Sequence, residues 1–173
     1  DYFSGTAFDE VHENIVNASS ALISAVEKAF ALISQYTGIT FVKVTETSTQ
    51  CGDIRIGVTT SSQLDVGVSA AIPSGTTNSS HGDLWLKGGW NSTGSTTGDD
   101  WSVGSFGFMT LMHEIGHSMG LKHPHSEGTN WSGWTPPVAI QTYDNLWYSL
   151  MAYRDYSGDN WGSDPDGHSV TDV

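Results

Sequence analysis

The sequence predicts an α+β domain organised around a buried helix. Three observations lead there. An amphipathic helical stretch comes early, several short β-patterned runs follow it, and a second helix, apolar nearly all round, precedes a long segment with no regular period. The 173 residues suit one domain. Hydrophobic residues make up only 37%, but seven Trp, six Tyr and six Phe supply enough large side chains for a core to form.

Taken in order, residues 1–18 show no clear period. "SSALISAVEKAFALISQYTG" then places Leu22, Val26, Phe30 and Ile33 at helical steps of three and four. A serine can cap its start, and Gly38 stands where the helix should stop. "ITFVKVTE" is rich in β-branched residues. "GDIRIGV" puts Ile54, Ile56 and Val58 on one face, and "GDLWLK" sets Leu84 and Leu86 opposite Trp85 and Lys87, so all three runs read as strands. Residues 88–104 form a Gly/Ser/Thr-rich loop. The second helix is expected from about Ser105 to Met119, with Phe108, Leu111 and Ile115 on one stripe and Phe106, Met109, Met112 and Met119 on another. A helix apolar on both stripes is buried. Residues 124–147 read as a long loop containing Trp131, Trp134 and Trp147, and long loops in compact domains are often functional.

The net charge of −13 repels phosphate backbones and anionic membrane surfaces, which argues against nucleic acid as a partner. No run of eighteen apolar residues exists, so no membrane insertion is expected. The start, "DYFSGTAFDE", lacks the basic and apolar regions of a signal peptide. It also lacks Met, so a processed or trimmed chain is expected, compatible with secretion. Cys51 is alone, so no internal disulfide forms, and it reads as a small core residue.

The chemistry concentrates in "HEIGHSMGLKH". His113 and His117 are four apart on a helix, hence about 40° apart around its axis and about 6 Å along it, so both imidazoles can reach one ion. Glu114 projects to the side, suited to a water rather than to the metal. Gly120 can take the left-handed conformation that ends a helix, which lets His123 return toward the first two histidines. Three neutral imidazoles and a water make a tetrahedral Zn²⁺ site with one open position, the arrangement of catalytic zinc. Zinc acidifies water and polarises a carbonyl, while Glu114 takes the water's proton and passes it to the leaving amine. The product is peptide-bond hydrolysis without a covalent intermediate. Five fixed positions in eleven residues are far more specific than a bare HExxH. The competing reading, two core histidines satisfied by hydrogen bonds, is much the weaker.

This motif resembles that of the metzincin zinc peptidases. The resemblance implies a two-lobed catalytic domain over residues 1–173, with an upper lobe of about 1–120 and a lower lobe of about 121–173. It also implies a mixed twisted sheet, an active-site helix and an irregular lower lobe ending near a methionine turn. "YSLMAY" resembles that turn, with Met151 shaping the site floor 28 residues after His123. Pro124 after the third histidine and Tyr153 two residues after the turn Met are similar to the serralysin group. In that group the tyrosine is a displaceable zinc ligand that later hydrogen-bonds the oxyanion, so the resemblance gives Tyr153 a catalytic role. It also implies an edge strand above the zinc that binds substrate backbone antiparallel, best matched by Gly82, Asp83, Leu84, Trp85 and Leu86. Trp residues within 131–147 would line the primed-side pocket. His125 and Ala152 depart from the family's usual glycine and serine. The family's later helix and calcium-binding repeat domain have no counterpart before Val173, so a fragment or processed form is expected.

The expected activity is therefore zinc-dependent endopeptidase action on protein or peptide substrates by a secreted monomer. Two alternatives stand beside it. One is a protease that acts mainly on its own precursor. The other is a binding or adhesion module on an inactive scaffold, against which the retained Glu114 speaks. Asp155, Asp159, Asp164 and Asp166 could ligate Ca²⁺, although their spacing fits no EF-hand. His81 and His125 read as turn and loop residues.

Overall fold

Two capped helices and a short sheet frame the domain. The computed structural model describes residues 14–47, 49–50, 52–60, 68–70, 82–88, 100–124 and 143–153. Expectations for Cys51, His81, His125, Trp131, Trp134 and the acidic residues Asp155 to Asp166 lie outside these residues. Helix α1 (Ser20–Thr37) starts at Ser19, whose side chain accepts the Leu22 N–H at 3.1 Å. It ends at Gly38, which has φ +73° and donates its N–H to the Ser34 carbonyl. Both termini match the sequence. The fully buried stripe is Leu22, Ala25 and Ala29, with Val26, Phe30 and Ile33 packed at its margin. Both alanines share one buried cluster with Phe108, Leu111 and Ile115.

Helix α2 (Phe106–Ser118) is capped by Ser105, whose hydroxyl accepts the Phe108 N–H and donates to the Asp100 carbonyl. Its expected burial holds. Phe108, Leu111 and Ile115 face the core with Leu84, Leu86, Val58 and Trp101, and Met112 and Met119 are half-buried beside them. Thus α2 is packed between α1 and the sheet.

The sheet is mixed. Strands β1 (Ile15–Val16), β2 (Ile56–Thr59), β3 (Val68–Ala70) and β4 (Leu84–Lys87) lie in the order β1-β2-β4-β3. β2 and β4 are parallel, with Ile56 opposite Leu84 and Val58 opposite Leu86, while both outer pairs are antiparallel. On the other face the Trp85 indole lies over Gly57, in space that a Cβ there would need.

Two expectations are corrected. "ITFVKVTE" forms no strand. Its Phe41 ring packs 4.7 Å from that of Phe30, and Lys43 donates to Glu27 at 2.7 Å, so side-chain contacts hold this segment along α1. The flank of β2 is taken instead by β1, too short to show a period. Gly82–Leu86 is likewise not an edge strand, because β4 is bonded to β2 on one side and β3 on the other. Leu84 and Leu86 are 0% and 1% exposed, which is the burial of an interior strand. Alternation of period two is the same for an inner strand and an edge, so the pattern could not separate them. Among the described residues, the outer position on that side belongs to β3.

Candidate metal centre

The site grows from the C-terminal half of α2. His113 and His117 are buried on one face of the helix, and Glu114 is half-buried beside His113. The helix then stops in a hydrogen-bonded reversal. The Gly120 N–H reaches the His117 carbonyl at 2.8 Å, and the Leu121 N–H reaches the Gly116 carbonyl at 2.9 Å. This pair of bonds is the Schellman arrangement, and it places a left-handed residue at position 120. Gly120 has φ +94°. The chain thereby turns back, and His123 comes to lie against the two helical histidines.

The three Nε2 atoms converge. His123 Nε2 lies 3.1 Å from His113 Nε2 and 2.9 Å from His117 Nε2. The far side of each helical imidazole is tied to the main chain. His113 Nδ1 is 2.9 Å from the Leu150 carbonyl oxygen, and His117 Nδ1 is 2.8 Å from that of Leu121. A carbonyl oxygen only accepts, so each Nδ1 carries the proton and each Nε2 keeps its lone pair. His123 has at most one Nε2 proton and cannot satisfy both neighbours. A shared cation satisfies all three. Zn–N bonds of about 2.0–2.1 Å in a tetrahedron set nitrogens about 3.3 Å apart, close to the spacing here. The donor set therefore fits zinc, with His113, His117 and His123 the residues that could hold it. Burial pushes the His117 pKa below the ordinary value of 6.5, partly opposed by its bond to Leu121, and so favours the neutral form that ligation needs.

Residues far along the chain complete the surroundings. The Ala152 N–H donates to the Ser149 carbonyl, closing a turn that carries Met151, 5% exposed. The Met151 sulfur lies 2.5 Å from where a Cβ on Gly116 would stand. The Tyr153 ring stacks on His113 at 12°, with centroids 5.6 Å apart, and lies 4.1 Å from the His123 ring. The structure thus gathers His113, His117, His123, Met151 and Tyr153 in one place. Sequence reasoning passed over Gly116 and the carbonyls of Leu121 and Leu150. A main-chain oxygen leaves no mark on residue type, but a glycine within a buried helix was a visible signal of close packing.

Among the described residues, no helix is long and apolar enough to cross a membrane. The family model described as Matrixin matches residues 9–131, from before β1 to beyond the third histidine. Serralysin of Proteus mirabilis is 33% identical over 76 residues, which cover 43% of this chain. The match takes in 14% of that relative, so the chain spans a small part of its length. The matched family implies zinc, in agreement with the three-histidine group. With well over half of its length matched, the chain belongs to the matrixin family and has the α+β fold of a metzincin-type catalytic domain.

Proposed function

We propose that the protein is a zinc endopeptidase acting on protein or peptide substrates outside the cell. The observation that carries this reading is the convergence of three Nε2 lone pairs whose imidazoles are fixed from behind by the Leu150 and Leu121 carbonyls. Such anchoring holds ligating histidines in one tautomer and orientation. Zinc held by His113, His117 and His123 supplies Lewis acidity, acidifying water and polarising a carbonyl.

The chain's own residues do the rest. Glu114 takes the proton of the attacking water and delivers it to the departing amine, which would otherwise leave as an unstable anion. Tyr153, beside His113 and His123, donates its hydroxyl to the developing oxyanion. Met151 forms the floor beneath the histidines as the methionine turn of the fold. An extended substrate adds its backbone to the outer edge of β3, which flanks Gly82–Leu86. Pro124, Tyr153 and the alignment with the Proteus serralysin support a serralysin-like subtype within one catalytic domain.

The test compares wild type with Glu114→Ala for bound metal and for cleavage of an unfolded protein. Stoichiometric zinc in both, with cleavage lower by about 10² or more in the variant, is expected for loss of a general base. A wild type that retains no zinc after metal reconstitution would sink the reading, as would equal cleavage by both forms.

A further inference from the structure

Gly116 stands at the junction of the two tethers that aim the histidines. Its carbonyl accepts the Leu121 N–H at 2.9 Å, and the Leu121 carbonyl in turn accepts from His117 Nδ1. On its side-chain face, a Cβ would lie 2.5 Å from Met151 Sδ, 3.4 Å from Met151 Cε and 3.6 Å from Leu121 Cδ1. Met151 directly follows Leu150, whose carbonyl accepts from His113 Nδ1. One residue therefore touches both segments that hold Nδ1 protons, one segment through its carbonyl and the other through its missing side chain.

Glycine is among the poorest helix formers, and Gly116 lies inside α2 with no need for its conformational freedom, since it is not among the described glycines at positive φ. Close packing is the remaining reason for it. We infer that Gly116 is a positioning residue that sets how near the Met151 turn seats against α2. Through the Leu150 carbonyl, it thereby sets the direction in which His113 presents Nε2. This rests on the three-histidine zinc reading and adds a determinant of affinity to it. Any side chain at 116 displaces the Met151 sulfur. The sulfur ends a flexible side chain, but Met151 is only 5% exposed, so on this inference the turn itself must give, which shifts the Leu150 carbonyl and loosens the anchor of His113 while all three histidines remain present.

The experiment uses the full chain as wild type, Gly116→Ala, and Gly116→Ala with Met151→Ala. Zn²⁺ affinity is measured by competition with a chromophoric chelator, and the visible spectrum is recorded with Co²⁺ in place of zinc. Gly116→Ala should weaken zinc binding about 10–100-fold, the usual effect of disturbing a residue behind a ligand, and should shift the Co²⁺ bands as His113 turns. Removing the Met151 side chain as well should recover most of that loss, because the space is restored. Unchanged affinity in Gly116→Ala, or further loss in the double variant, would overturn the inference. Weakened binding with an unaltered Co²⁺ spectrum would also overturn it, since general destabilisation behaves that way. Should the single variant precipitate, the double variant decides: folding and binding within about tenfold of wild type supports the steric account, and failure to fold refutes it. A wild type without stoichiometric zinc would remove the metal reading itself, whereas a zinc-replete wild type matched by Gly116→Ala removes only the role of Gly116.

Discussion

Alanine at position 120 should damage two properties at once, and a control can separate them. Gly120 has φ +94°, where a Cβ is strained, at a cost of about 1–3 kcal/mol if the backbone stays in place. If the backbone relaxes instead, the bonds from Gly120 to His117 and from Leu121 to Gly116 are weakened, at about 1 kcal/mol each. Either route destabilises the metal-free protein by about 1–3 kcal/mol. Relaxation also moves the Leu121 carbonyl off His117 and displaces His123, so zinc affinity should fall about 10–100-fold. Gly38 is the control. It ends α1 at φ +73°, nothing lies within 4 Å of the Cβ an alanine would add, and it is remote in sequence from the histidines. Gly38→Ala should cost a similar amount of stability and leave zinc affinity unchanged. Urea unfolding in chelator reads the first quantity, and competitive zinc titration reads the second. If Gly120→Ala matches Gly38→Ala in both measurements, the turn does not position the ligands and the reasoning fails.

The remaining expectations concern ionisation, catalysis and the core. Because the folded-state pKa of His117 is depressed, the unfolded chain takes up its proton more readily. The metal-free protein should therefore lose stability as pH falls from about 6.5 through the lower folded value, and His117→Gln should flatten that part of a pH series of urea midpoints. Tyr153→Phe should retain zinc while kcat/KM falls about 10²-fold, the cost of losing one oxyanion donor; a change in KM alone would assign Tyr153 to substrate binding. Leu111→Ala, at a fully buried position between α1 and the sheet, should cost about 2–5 kcal/mol by urea denaturation, and a cost under about 1 kcal/mol would contradict the packing described.

Where the sequence was readable, the physics was local. Ser19, Gly38 and the Phe108, Leu111 and Ile115 stripe of α2 act through neighbours three or four residues away, and each stands as expected, whereas the buried stripe of α1 is shifted from Val26, Phe30 and Ile33 toward Ala25 and Ala29. His113, His117, Gly120 and His123 were legible for the same reason, being linked by helix geometry and one turn. Strand order was not legible. Whether Leu84 and Leu86 sit at an edge or inside depends on β3, fourteen residues earlier, and on the parallel partner β2. "ITFVKVTE" failed because β-branching does not reveal that Phe41 and Lys43 have partners on α1. Met151 and Tyr153 were reached only through family resemblance, and the structure sets Met151 against Gly116, between the helical histidines in sequence, and Tyr153 against His113 and His123. The anchoring carbonyls of Leu121 and Leu150 had no residue-type signature at all.

The bond from His113 to Leu150 also has a meaning in time. A ribosome releases the three histidines well before residue 150, so the emerging chain holds every ligand while one of them still lacks its anchor. Full metal affinity must await the turn that carries Leu150 and Met151. The thirty-seven-residue separation between an imidazole and its carbonyl thus ties completion of the metal site to a segment synthesised much later.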